Sequence, residues 1–341
     1  MKGNVLLTGI SGFLGSHTAI QLLEKGYEVT GTLRSLDRAE SIKTMLARHT
    51  QHVDNLRFAQ AELTDATVWL DLTKGMDYVQ HVASPFPREL PKHEDELIVP
   101  AKNGVLNVLQ AASVNRVRRV VLTSSSGNLL YGKPKGRESG TFDETVSLNG
   151  QTMSDLTPYL RSKLMAEKAA WDFMATDTSG LELVAVLPGV MLGPVLENDF
   201  GTTADIVLKM LNGSLPAVPA TGFDLADVRS VADALVRAME MPGAAGQRFA
   251  ISAGFLTLRE VADILRQQYP DRKIPRIVLP DFLTRVLSWF DSSLAPVLLD
   301  LGHERKVNHG KAEKLLGWQP LDNREAVISC ARSLLALGLV K

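Results

Sequence analysis

Short apolar runs alternate with longer stretches whose apolar residues recur at helical spacing through the N-terminal part of the chain. Asn4–Thr8 predicts a strand, and Phe13–Lys25 predicts a helix that stops at Gly26. Glu28–Leu33, Leu56–Gln60, Tyr78–Ala83, Arg119–Ser124 and Leu183–Leu187 read as further strands. Helical spacing between them covers Asp37–Arg48, a short piece near Asp65–Thr73, about Asp95 to Ala112, and Pro158 to about Met174. Strands this uniformly apolar are buried on both faces, so the pattern predicts a parallel sheet covered by helices on each side. Right-handed crossovers then make it a doubly wound, Rossmann-type α/β domain.

After Pro188 the pattern loosens, and Pro and Gly punctuate short elements up to a strand at Arg248–Ser252. Helical segments follow at Leu258–Gln268, Asp281–Phe290, Lys311–Leu316 and Arg324–Leu335. The expected division is a dinucleotide-binding domain over residues 1–190 and a smaller substrate lobe over 191–341, with about 223–252 returning to the first. Such a lobe sits over the carboxyl edge of the sheet, where open α/β folds bind ligands. The unusually apolar segment Phe282–Leu301 reads as lobe core, ahead of a substrate lid or dimer surface.

Composition narrows the partners. With 341 residues, 45% of them hydrophobic, and a net charge of −1, the chain has a large core and no charged block. Nucleic acid and anionic membrane are therefore not expected partners. Cys330 is the lone cysteine, so no intrachain disulfide and no cysteine metal cluster form. His93, His303 and His309 lack metal-ligand spacing and read as surface residues, so no metal is expected. The chain enters strand-like sequence without a signal-peptide pattern, and Leu183–Leu196 is broken by Pro188, Gly189, Gly193 and Pro194. A cytoplasmic monomer or homodimer acting on a small molecule is the expectation.

Between the first strand and helix lies Thr8-Gly-Ile-Ser-Gly-Phe-Leu-Gly15. Gly9 permits a tight turn, Gly12 lets backbone approach a pyrophosphate, and Gly15 lets the helix pack on the strand. With Ser11, Phe13 and Leu14 they form a dinucleotide loop at a helix N-terminus. The second strand ends Thr30-Gly-Thr-Leu-Arg-Ser35, without the acid that an NAD ribose prefers. Arg34, and Arg38 beyond it, can pair instead with a 2′-phosphate, which favours NADP while leaving NAD possible.

Downstream, Tyr159 and Lys163 share a helix face, and Thr123-Ser-Ser-Ser126 ends a strand. Carbonyl reduction needs a proton donor for the oxygen that gains charge, and a free tyrosine near pKa 10 is a poor one. An ammonium beside Tyr159 is expected to lower that value, while Ser125 hydrogen-bonds the substrate oxygen.

These residues resemble those of the extended short-chain dehydrogenases/reductases, most closely the dihydroflavonol reductase-like branch. The likeness runs through Thr8 to Gly15, Gln80 to Pro85, Thr123 to Ser125, Tyr159 to Lys163, Leu192 to Pro194, Asp227 to Asp233 and Leu316 to Pro320. It implies NADPH-dependent reduction of an aldehyde, ketone or keto ester with Tyr159 as acid, Lys163 as its partner and Ser125 as oxygen anchor. It also implies Glu62 and Leu63 beside the adenine, Val82, Ala83 and Ser84 along the cofactor channel with Thr123, and Pro188 to Val190 near the carboxamide. Glu62 stands where the family has aspartate, and Leu130 stands where plant flavonoid reductases have a substrate-contacting asparagine. Nearby Asn128 reads as a loop-capping side chain or a substitute for it, and His81 as a structural strand residue. Other readings on this fold are a hydroxysteroid or sterol dehydrogenase, a nucleotide-sugar epimerase or dehydratase and, last, a non-catalytic NADP-sensing regulator.

Overall fold

Backbone groups of apolar runs must find partners inside the protein, and here neighbouring strands supply them. The computed structural model describes residues 2–85, 93–152, 155–198, 201–289 and 297–341. Seven strands pair in the spatial order Arg248–Ile251, Glu182–Pro188, Arg119–Thr123, Tyr78–His81, Asn4–Thr8, Glu28–Leu33 and Leu56–Gln60. Every pair is parallel. The chain order reverses between Asn4–Thr8 and Tyr78–His81, which opens a crevice at their carboxyl ends. Register levels that edge: Thr8 pairs with His81, His81 with Leu122, and Thr123 with Val186.

Alternation along each strand feeds two cores. Val5, Leu7, Val121 and Val184 pack with helices Phe13–Glu24 and Val228–Glu240 and with Trp318. Leu6, Val120, Leu122 and Leu183 face helices Ala66–Leu72, Asp95–Val114 and Pro158–Met174. Each fully buried Leu or Val contributes about 1.5–3 kcal/mol, so both helical layers are held firmly to the sheet. The lobe has its own core, where Met210, Leu265 and Cys330 meet from helices Thr202–Leu211, Leu258–Gln268 and Asn323–Ala336. A three-stranded sheet of Val190–Leu192, Gly222–Asp227 and Gly254–Thr257 joins lobe to domain.

The structure departs from the sequence reading in four segments. Val228–Glu240 and Thr202–Leu211 are full helices where only short elements were expected. The first is capped by Asp227 and buries Val228, Val231, Leu235 and Met239 on one face, a periodicity masked by the flanking Pro and Gly. Asp37–Arg48 divides into a turn at Leu36–Arg38, capped by Ser35, and a helix at Ala39–Leu46. The assignment of Phe282–Leu301 to the lobe core is corrected for the stretch from Phe282 to Trp289, whereas Leu301 at its far end is buried. Its helix ends at Leu287, Phe282 is 69% exposed and Trp289 81%, while Phe290 lies outside the described residues. The three lobe helices already fill that core, so only Thr284 of this helix is buried.

Candidate active site

The crevice begins at the glycine turn. Gly9 has φ +72°, and a side chain there would press within 3.0 Å of Ala83. A Cβ on Gly15 would collide with the Gly9 carbonyl, so first helix and first strand meet only through glycine. Gly12 caps Phe13–Glu24 with extended backbone, with no capping side-chain hydrogen bond among the described residues and no acid in the first turn. Its first-turn N–H groups and positive dipole end suit a phosphate. Ser11 is half-buried, the Leu14 side chain lies in the core, and the Phe13 ring packs edge-on against His17. Phe13 and Leu14 therefore offer backbone rather than side chain to a ligand. Burial lowers His17 to about 4, and its Nε2 meets the Pro194 carbonyl at 2.9 Å, tying the lobe turn to this helix.

Across the turn, the Ala83 N–H donates to Thr8 Oγ1 at 3.0 Å, and Thr8 Oγ1 meets His81 Nδ1 at 3.1 Å. Burial, reinforced by the Lys163 charge, lowers His81 to about 3. The ring is neutral, and Nδ1 can accept the Thr8 hydroxyl proton. This is the structural role expected of His81. Val82, Ala83 and Ser84 are half-buried along the same wall.

Thr157 caps the Pro158–Met174 helix, its hydroxyl accepting the Leu160 N–H at 3.2 Å, with Pro158 in the first turn. Lys163 is buried and its Nζ donates to the Thr123 carbonyl at 3.2 Å. Burial lowers Lys163 to about 8, against the opposing pull of Glu167. Tyr159 is corrected in sign: burial pushes its phenol up to about 12 rather than down. The ammonium that was to lower it is itself desolvated and engaged with the Thr123 carbonyl.

Within the hydroxyl cluster, packing separates the roles. Ser124 donates to Glu167 at 2.6 Å, and Ser126 is buried. Ser125 is half-open, and its Oγ accepts the Gly127 N–H at 3.0 Å, which leaves the hydroxyl proton to donate. A Cβ on Gly127 would stand 2.5 Å from Leu160, so this glycine lets the Ser125 turn press against the Pro158–Met174 helix. Thr123 Oγ1 is buried with no hydrogen-bond partner among the described residues. Asn128 is no substrate contact: it is buried, donating to Glu167 at 2.7 Å and Ser124 at 3.1 Å. Leu130 is buried in a small core with Leu129. The Pro188 carbonyl accepts the Ser126 N–H at 3.0 Å, and Val190 packs on the lobe core.

The other end of the crevice is open. Arg34 is exposed, and its carbonyl accepts from Gln60 at 3.1 Å. Arg38 is held by the Glu197 carboxylate at 2.8 and 2.9 Å, a partner from the lobe that the sequence pattern did not indicate. Glu62 is exposed, while Leu63 packs against Gly104. Sequence reasoning also passed over Glu167 and Arg248, paired at 2.6 Å beneath the site. Their signal was available: Glu167 lies one helical turn beyond Lys163, and Arg248 is a charge opening an apolar strand. Among the described residues, no cluster of His, Cys, Asp and Glu could hold a metal, and no helix is long and apolar enough to cross a membrane.

A parallel sheet with its glycine turn at the switch point, and a Tyr–Lys helix closing the same crevice, defines the extended short-chain dehydrogenase/reductase class. Within it, residues 5–252 match the NAD dependent epimerase/dehydratase family, and the chain belongs to that family. It is 32% identical over 284 residues to tetraketide alpha-pyrone reductase 1 of Arabidopsis thaliana, covering 81% of this chain and 84% of that protein. It is 28% identical over 351 residues to a putative NADPH-dependent methylglyoxal reductase of Candida albicans, covering 95% and 96%. Its fold resembles yeast methylglyoxal/isovaleraldehyde reductase complexed with NADPH, with a TM-score of 0.79, 26% identity and coverage of 98% and 99%.

Proposed function

We propose that this protein is an NADPH-dependent reductase that converts an aldehyde, ketone or keto ester to an alcohol. The observation that carries the reading is the half-open Ser125 hydroxyl, proton free to donate, on the turn that packs against the Tyr159–Lys163 helix. The glycine turn suits the pyrophosphate, Arg34 and Arg38 the 2′-phosphate, and Lys163, with the Thr123 hydroxyl that has no hydrogen-bond partner among the described residues, the ribose side of the crevice. When bound, the nicotinamide supplies the hydride.

Ser125 donates to the carbonyl oxygen and fixes its position. Tyr159 gives its proton to that oxygen as negative charge develops, and a phenol near 12 holds its proton ready at neutral pH. Lys163 then stabilises the phenolate left behind. Lys163 and His81 are themselves shielded from water, which strengthens the interactions of the lysine charge. The related reductases with methylglyoxal, isovaleraldehyde or alpha-pyrone in their names support this substrate range. The test follows NADPH oxidation with a panel of aldehydes, diketones and keto esters, and follows sugar nucleotides by product chromatography, because epimerisation and dehydration consume no net NADPH. Turnover of the carbonyl compounds is expected; turnover of sugar nucleotides alone would replace the reading with epimerase or dehydratase chemistry.

A further inference from the structure

Beneath Lys163 lies a carboxylate that this reaction scheme does not use. Glu167 is fully buried one turn along the same helix. Its Oε2 accepts from Ser124 Oγ at 2.6 Å and Asn128 Nδ2 at 2.7 Å, and its Oε1 from Arg248 Nε at 2.6 Å and Trp171 Nε1 at 3.3 Å. A carboxylate stays ionised away from water only with such a set of donors. Three of those donors lead outward. Ser124 precedes Ser125 directly, Asn128 also reaches the Lys163 carbonyl at 3.3 Å, and Arg248 Nη1 grips the Glu144 and Val146 carbonyls at 3.1 and 2.8 Å.

We propose that Glu167 is a positioning residue for the Tyr159–Lys163 pair: with Arg248 it sets the local field at the lysine and holds the Ser125 turn against the catalytic helix. The proposal rests on reading Lys163 as the working ammonium. Burial alone drives Lys163 toward its neutral form, and Glu167 is the charge that opposes this. Among the described residues, the other titratable groups on this side are His81 on Tyr78–His81 and Tyr159, one turn before the lysine on its own helix. The Arg119–Thr123 strand and the Ser125 turn bring only neutral groups to it, and the buried face of Asp95–Val114 is uncharged. Arg248 acts from the last strand, through Glu167.

Two substitutions in the full chain separate charge from packing. Lysine labelled at 13Cε, with Lys163→Ala for assignment, reports the Lys163 midpoint without turnover, and the pH profile of kcat/KM reports it in catalysis. Glu167→Gln is expected to move both the midpoint and the alkaline limb down by about one pH unit or more. Arg248→Gln, which removes the cation and leaves the carboxylate, is expected to move both up by less. Opposite signs are the signature, because loosened packing does not produce them. Unshifted midpoints or shifts of the same sign overturn the proposal; if only one variant folds, its own sign decides. Failure of both to fold, read by thermal unfolding, overturns it by making the pair a folding element. Normal turnover in Tyr159→Phe would instead sink the catalytic reading and leave the lysine titration decisive for the coupling.

Discussion

The two ends of the crevice handle charge in opposite ways. At one end Lys163 is 7% exposed, its neighbours Glu167 and His81 are as buried, and burial pushes the lysine down to about 8 and the Tyr159 phenol up to about 12. At the other, Arg34 is exposed, and the Arg38 and Glu197 side chains keep 42% and 24% of their surface in water. Coulombic coupling scales inversely with the effective dielectric, so a charge moved at the buried end counts several times more than at the open end. The first end therefore suits chemistry and the second recognition. The lobe contributes differently to each: Arg38 is reached by a lobe carboxylate, whereas His81, Tyr159, Lys163 and Glu167 stand on the sheet and one of its helices.

That contrast is broken most directly by Tyr159→Phe. It should lower kcat about 10²–10⁴-fold, the usual worth of general acid catalysis, while NADPH affinity by fluorescence titration stays near wild type. A turnover close to wild type would remove Tyr159 from the reaction. Next in size is a pH effect. Burial depresses Lys163 to about 8, so its ammonium is present below that pH and lost above it. The kcat/KM for carbonyl reduction, which reports the free enzyme, should fall about tenfold per unit above pH 8. Lys163→Ala should lower the rate, flatten this limb and weaken NADPH binding; an unchanged limb would detach the lysine from the reaction.

Smaller effects are expected at the open end. Arg34→Ala should raise KM for NADPH about two- to tenfold, an ion pair in water being worth little, and leave KM for NADH unchanged. Equal changes for both cofactors would show that Arg34 does not read the 2′-phosphate. The smallest effect sharpens the comparison. Glu197→Gln releases Arg38 from its lobe partner and should lower KM for NADPH by about twofold without touching NADH. A rise instead would mean that the Arg38–Glu197 pair shapes the crevice rather than competing with the phosphate.

Local chemistry made much of this molecule readable in one dimension. The apolar runs of the parallel strands, the positive-φ turn at Gly9, the close approach at Gly15 and the four-residue spacing of Tyr159 and Lys163 depend on neighbours in the chain. Periodicity and turn sterics act over that range, so the sheet, the glycine turn and the Tyr–Lys helix follow from them. Partner choice does not. Only packing decided that Ser125, and not Ser124 or Ser126, keeps a half-open hydroxyl, and that Asn128 turns inward to Glu167. Arg248 meets Glu167 across 81 residues, and Glu197 meets Arg38 across 159. Composition marked Phe282 and Trp289 as core, yet three other helices fill that core and leave both outside. The sign of the Tyr159 shift belongs here too: spacing places an ammonium on the same helix face, but how much water remains around the phenol is set by everything that packs over it.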